Sequence, residues 1–270
     1  MAKILFTDLD GTLLTDDKKI SSKNKEAIQK MLHQGNYFVI CTGRPVASGR
    51  IVAKELGLTS AGCYMICFNG AVVYDCSSDR ILFQKSLAFP DVQRLFEEAK
   101  KAGIHIQTYN DTHIVALEHS RELDFYVGRS NVPYKLVLNV FDALDKEPQK
   151  VLMIDTENSG KLQRFLDDNI EWTKKTMNAF FSCEEYLEYC PKGIDKGTGV
   201  RELTSFLNLS IEDTIAVGDE RNDIAMIHAA HLGIAMKNAH DIVKEEADIV
   251  TQHTNNEDAI AEIIEKYICV

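Results

Sequence analysis

The chain has 270 residues, of which 45% are hydrophobic and 26% charged, an ordinary soluble composition with enough apolar residues for a sizeable core. A formal net charge of −11 makes its surface a poor electrostatic match for nucleic acid or an anionic membrane. The 7 cysteines are odd in number and form no Cys-x-x-Cys pair, which argues against a disulfide framework or a structural zinc site and points to a reducing, cytoplasmic setting. The first strand is predicted to begin too early for a secretory leader, and no apolar run approaches the ~20 residues of a membrane helix.

The first third alternates strand and helix. A strand is predicted over 3–8, where Ile4, Leu5 and Phe6 precede two aspartates. Residues 23–34 place Ala27, Ile28, Met31 and Leu32 on one helical face, and Gly35 stops the helix. The run Phe38-Val39-Ile40-Cys41 is a second strand over 37–42, a helix follows over 46–56, and 63–68 is a third strand ending in Asn69-Gly70. Strands separated by helices imply a doubly wound, mostly parallel sheet.

Beyond that the rhythm changes. Residues 71–74 and 80–84 read as a hairpin, and Asn69-Gly70 as a hairpin turn. A helix is predicted over 90–102, paired strands over 104–109 and 113–117, a helix near 121–129, strands near 136–140 and 151–155, a helix over 160–168 and a strand near 180–183. From about Pro191 the parallel rhythm resumes, with a helix over 198–207, a strand over 213–217 and a helix from Asp223 to about Ala230. Strands over 232–236 and 247–250 and a closing helix over 257–267 complete it. The expected organisation is a discontinuous α/β core, residues 1–82 and 188–270, interrupted by an inserted α+β domain over 83–187.

Four groups fall at the predicted carboxyl ends of core strands or in the adjoining loops: Asp8 with Asp10, Thr42-Gly43-Arg44, Lys196, and Asp219 with Asn222-Asp223. A parallel sheet brings such ends to one edge, where α/β proteins bind ligands. Together they offer carboxylates for a hard cation, a hydroxyl and glycine N–H for phosphate oxygens, and a lysine for negative charge. Phosphoryl transfer needs little else, because its catalysis is mostly positioning and charge neutralisation. Taken singly, each has a plainer reading: Asp8-Leu9-Asp10-Gly11 and Thr42-Gly43 as turns, Asp219 as a helix cap, Lys196 as a solvated lysine with Lys192 as a competitor.

In order and spacing, Asp8-Leu9-Asp10-Gly11-Thr12, Thr42-Gly43-Arg44, Lys196 and Gly218-Asp219-Glu220-Arg221-Asn222-Asp223 resemble the motifs of the haloacid dehalogenase-like superfamily. The position of the inserted domain resembles its Cof-type subfamily, and Gly233-Ile234-Ala235-Met236-Lys237-Asn238-Ala239 is similar to that family's final strand and turn. The resemblance implies that Asp8 is a nucleophile forming an aspartyl-phosphate, and that Asp10 protonates the leaving oxygen and then activates water. It implies Mg²⁺ held by the Asp8 and Asp219 side chains and the Asp10 carbonyl, with Asp223 orienting the metal shell or Lys196. It implies phosphoryl oxygens bound by Thr42, Lys196, Asn222 and the N–H groups of Leu9 and Gly43, and it offers a place near the site for Asn69 as the alternative to a plain hairpin turn. It implies a cap that closes over the site.

The activity so implied is a Mg²⁺-dependent phosphatase of small phosphorylated metabolites such as sugar phosphates, with no nucleic-acid or membrane partner. A phosphomutase of the phosphomannomutase type would call for a cationic cap, and Arg121, Arg129, Lys135 and Lys150 form no clear cluster in sequence. A binding protein on a retired catalytic scaffold would have lost Asp8, Asp10, Lys196 or Asp219, and all are present. His105, His113 and His119 fall in the predicted inserted domain and read as surface or structural residues, with substrate contact as the alternative, while His228, His231, His240 and His253 show no metal-ligand spacing.

Overall fold

A computed structural model describes residues 2–130 and 132–269. The chain divides into two compact units, Met1–Gly43 with Gly49–Phe83 and Asp195–Val270, and Arg44–Ser48 with Gln84–Ile194. The second joint, expected near 187, therefore falls at Ile194/Asp195 instead.

The first unit contains β1 (Ile4–Asp8), α1 (Ser22–His33), β2 (Tyr37–Cys41), α2 (Val46–Glu55, whose first three residues count with the other unit), β3 (Cys63–Cys67), β4 (Val72–Asp75) and β5 (Arg80–Gln84). The second contains α3 (Phe89–Ala102), β6 (His105–Tyr109), β7 (Ile114–Ala116), α4 (Arg121–Ser130), β8 (Tyr134–Leu136), β9 (Val151–Ile154), α5 (Lys161–Thr176), β10 (Met177–Cys183) and β11 (Tyr186–Pro191). The chain then returns to the first unit with α6 (Lys196–Phe206), β12 (Thr214–Gly218), α7 (Ile224–Ala229), β13 (Leu232–Ala235), α8 (Asp241–Glu245), β14 (Ile249–Val250) and α9 (Ala259–Tyr267).

The first unit is built on an eight-stranded sheet in the order β14-β13-β12-β1-β2-β3-β4-β5. From β14 to β3 it is parallel, and β4 joins β3 antiparallel. Central β1 is buried along its whole length, as a strand covered on both faces must be. One face carries Phe6, Val39, Ile66 and Ala216 against Val200 and Leu203 of α6 and Met226 of α7. On α1, buried Asn24 accepts a hydrogen bond from the Ala261 N–H of α9 at 2.8 Å. Register sets the site: Asp8 pairs with Cys41, Thr7 with Val217, and Gly218 with Ala235, so β1, β2, β12 and β13 end together at one edge.

The second unit has a six-stranded sheet, β10-β11-β9-β6-β7-β8, antiparallel except where β7 and β8 run parallel. Helices α3 and α5 place Leu95, Phe96, Leu162 and Phe165 against Ile106, Val151, Met153 and Tyr189. On the opposite face Tyr126 of α4 meets Tyr109 and Tyr186, and a buried Lys150–Glu188 ion pair closes at 3.2 Å.

Some local expectations change. The strand predicted at 136–140 lies at Tyr134–Leu136, and Val140–Ala143 is a 3-10 turn capped by the Asn139 side chain. The helix predicted over 160–168 runs on to Thr176, since no Gly or Pro interrupts it. Strand β11 was not predicted; charged Glu188 breaks its apolar reading, and Lys150 compensates that charge only in the folded chain. Asn69-Gly70 does reverse the chain between antiparallel β3 and β4, as a 3-10 turn with Asn69 at φ 53°.

Candidate active site

The site begins where β1 ends. Asp8 is the last residue of that strand and is 7% exposed. The chain then coils tightly: the Leu13 N–H reaches the Asp8 carbonyl at 3.3 Å and the Leu14 N–H the Leu9 carbonyl at 2.9 Å. Leu9 and Leu13 are fully buried and anchor this coil, and Gly11 takes the left-handed backbone it requires. The coil delivers the Thr12 hydroxyl to Asp219 Oδ1 at 2.6 Å, beyond the end of β12.

Lys196 opens α6, behind Asp195, whose side chain accepts from the Thr198 N–H at 2.7 Å as an N-cap. Its ammonium is 1% exposed and donates to Asp8 Oδ1 and to Asp223 Oδ1, each at 2.5 Å. Asp223 Oδ2 in turn accepts from the Asp219 N–H at 3.0 Å and the Glu220 N–H at 2.9 Å. Lys192, the competing lysine of the sequence, is exposed and belongs to the other unit.

Oxygens of Asp8, Asp219 and Asp223 lie within 4.8 Å of one another. Burial raises the Asp8 carboxyl well above the usual range, and the charges of Asp223 and Asp219 add to this while Lys196 opposes it. Asp219 is pushed up to about 7, chiefly by burial, with Asp223 and Glu220 adding and the Thr12 hydrogen bond pulling the other way. Burial works against the Lys196 ammonium, yet Asp223 and Asp8 overcome it and hold its pKa above the ordinary lysine value. One ammonium among three buried carboxylates leaves excess negative charge. A hard divalent cation with oxygen preference fits that excess and that donor set. Asp223 has both oxygens committed to Lys196 and to backbone N–H groups, so Asp8 and Asp219 are the side chains with an oxygen to offer.

The remaining predicted residues gather close by. Buried Thr42 follows β2; its N–H reaches the Ile66 carbonyl at 2.8 Å and its carbonyl accepts from the Asn69 N–H at 3.1 Å. A side chain on Gly43 would stand 3.0 Å from Asn69 Oδ1, and the Asn222 amide donates to that same oxygen at 3.1 Å. Thr42, Gly43 and Asn222 thus converge on Asn69. Asp10 stands outside the carboxylate cluster: it is half-exposed and pairs through Oδ1 with Lys18 Nζ at 2.8 Å.

Thr12 and Asn238 escaped the sequence reading. Thr12 was within a quoted motif, but nothing signalled its bond to Asp219. Asn69 was legible as a turn residue that the family resemblance also sets near the site, and its bond to Asn222 joins positions 153 apart. Asn238, whose amide donates to the Gly11 carbonyl at 2.8 Å, gave no signal beyond the Asn-Ala turn. His105 contacts Ser120 and Gln107 within the second unit, and His119 pairs with Asp124.

A parallel α/β sheet here collects Asp8, Lys196, Asp219 and Asp223 at one edge, where α/β proteins bind ligands. The sequence from residue 5 to 264 matches the family model of haloacid dehalogenase-like hydrolases, and the chain belongs to that family. It is similar to the crystal structure of a haloacid dehalogenase-like hydrolase from Bacteroides thetaiotaomicron, at 30% identity and a TM-score of 0.91, covering 98% of this chain and 99% of that one. A structure from Thermotoga maritima matches at 31% identity and a TM-score of 0.87, covering 98% and 97%. Among curated proteins, the 5-amino-6-(5-phospho-D-ribitylamino)uracil phosphatase YcsE of Bacillus subtilis is 30% identical over 266 residues, 98% of this chain and 96% of that one. Among the described residues no helix is long and apolar enough to cross a membrane.

Proposed function

We propose that this hydrolase is a Mg²⁺-dependent phosphatase of small phosphomonoesters that works through an aspartyl-phosphate on Asp8. The observation that carries the reading is the Lys196 ammonium 2.5 Å from Asp8 Oδ1, with oxygens of Asp219 and Asp223 within 4.8 Å. Lys196 opposes the effect of burial on Asp8 and aims its carboxylate, as a carboxylate nucleophile requires. Asp8 attacks phosphorus, and the bond from phosphorus to the ester oxygen breaks. Asp10 gives its proton to that departing oxygen, then takes one from the water that attacks the aspartyl-phosphate, releasing inorganic phosphate and restoring Asp8. Thr42, Lys196, Asn222 and the N–H groups of Leu9 and Gly43 take the phosphoryl oxygens. Side chains of Asp8 and Asp219 and the Asp10 carbonyl would hold the metal, and Asp223 aims Lys196. Mg²⁺ supplies charge neutralisation that lets an anionic carboxylate approach an anionic ester.

Phosphorylated sugars and sugar alcohols are the proposed substrate class. Supporting it, YcsE acts by its name on a phosphate carried by a ribityl chain. Free cysteines, three of them on buried core strands of the first unit, support a reducing, cytoplasmic location.

Phosphate release from a panel of metabolite phosphates, with and without Mg²⁺ and beside Asp8→Asn, tests this. The expected result is release that requires Mg²⁺ and vanishes in Asp8→Asn while the variant keeps its fold. Turnover surviving Asp8→Asn would rule out the covalent route, and no release from any compound would rule out a phosphatase.

A further inference from the structure

We infer that Lys18 is a positioning residue for Asp10, a role resting on the acid–base function proposed above for that aspartate. Lys18 sits in a tight hairpin, with its N–H on the Thr15 carbonyl and the Thr15 N–H on the Lys19 carbonyl, both at 2.8 Å. From there its Nζ reaches Asp10 Oδ1 at 2.8 Å. Two features set this contact apart from an ordinary surface ion pair.

The first is the backbone. Lys18 has φ 59°, a left-handed conformation that glycine or asparagine adopts with less strain. A lysine there carries a local backbone cost. The ion pair does not offset it, because side chains 60% and 38% exposed form a pair worth little in water.

The second is the mounting of the hairpin. Asn255 donates to the Leu14 carbonyl and to Asp16 Oδ1, both at 3.0 Å, and Asn256 donates to Asp16 Oδ2 at 3.0 Å. The Asp16 N–H answers to Asn256 Oδ1 at 3.0 Å, and Asn238 holds the Gly11 carbonyl. Amide side chains from the far end of the sequence thus fix the segment that runs from Asp10 to Lys18. The mounting fixes where Lys18 stands, and Lys18 fixes the direction of the Asp10 carboxylate.

A proton donor matters in proportion to how badly the leaving group needs a proton. The experiment is therefore kcat/KM, which reports phosphoryl transfer to Asp8, for an alkyl phosphomonoester and for 4-nitrophenyl phosphate in Lys18→Met, Lys18→Gly and Lys18→Arg. Expected is a loss on the order of tenfold for the alkyl ester, a fraction of what a whole general acid contributes. The aryl ester should stay within about twofold, since its leaving group departs without a proton. Lys18→Gly should lose as much as Lys18→Met although it relaxes the backbone, and Lys18→Arg should recover most of the loss. Equal losses on both esters, or full activity in Lys18→Gly, would make Lys18 a loop residue only and overturn the inference. Asp10→Asn run alongside separates the two ideas: leaving-group dependence there without any in the Lys18 variants defeats the role of Lys18 alone, and none in either defeats the acid–base reading of Asp10.

Discussion

The Lys196 ammonium and the Asp223 carboxylate meet at 2.5 Å with side chains 1% and 0% exposed. Asp223 cannot turn toward another partner, because its second oxygen accepts two backbone N–H groups. The pair therefore acts as a fixed strut whose other end is the bond from Lys196 to Asp8.

Replacing Lys196 by Met removes the one cation shared by Asp8 and Asp223. Breaking a buried ion pair from one side costs ~3–5 kcal/mol, since the remaining charge is left uncompensated. Lys196→Met should lose stability on that scale in urea unfolding and lose phosphatase activity with it. A change under ~1 kcal/mol would show that the buried charges are relieved by another route.

The raised carboxyls make stability depend on pH and on the metal. Asp219 titrates near 7 when folded against 3.8 as its ordinary value, and Asp8 is displaced in the same direction. Between those values the folded chain binds more protons than the unfolded one, so metal-free stability falls as pH rises from about 4 to about 7, by up to roughly 4 kcal/mol for Asp219. Mg²⁺ binds the ionised form, so it should raise Tm more at about pH 8 than at about pH 5.5. A Tm increment independent of pH would contradict Asp219 as a ligand.

Gly11 has φ +84°, and a methyl group placed on it would fall onto Asp219 Oδ2. Gly35 has φ +81° with nothing within 4 Å of the same position. Both Gly→Ala changes carry the left-handed backbone cost, roughly 1 kcal/mol. Only Gly11→Ala should also weaken Mg²⁺ binding, which titration calorimetry of the two variants would read. Equal affinities would mean that Asp219 shifts without consequence.

In the second unit, Lys150 and Glu188 are nearly fully buried at 3.2 Å, and the carboxylate holds the Lys150 pKa above its usual value against the effect of burial. Lys150→Met should destabilise by ~3–5 kcal/mol, and Lys150→Met with Glu188→Leu should recover most of that because an apolar pair suffers no desolvation penalty. Thermal unfolding of both variants checks this; a double variant as weak as the single one would mean that the pair holds the packing of Tyr109 and Tyr126 as well.

What the sequence by itself determined was local. Apolar runs ending in Asp8, Cys41, Cys67 and Gly218 specified the core strands, because a buried parallel strand can be little else. The spacing of Asp8, Thr42, Lys196 and Asp219 behind those strands made one edge of the sheet the place to look. Tertiary structure decided which atoms meet. Choosing Lys196 over Lys192 by geometry, joining Asn69 to Asn222, seating Thr12 on Asp219 and bringing Lys18 to Asp10 all depend on loop coiling and register. So does the length of the inserted unit, whose strand β11 contains Glu188, charged in sequence and neutralised only by Lys150 in space. Sequence periodicity reports which face of an element is apolar; it carries no distance between side chains whose loops are joined only after the sheet has closed.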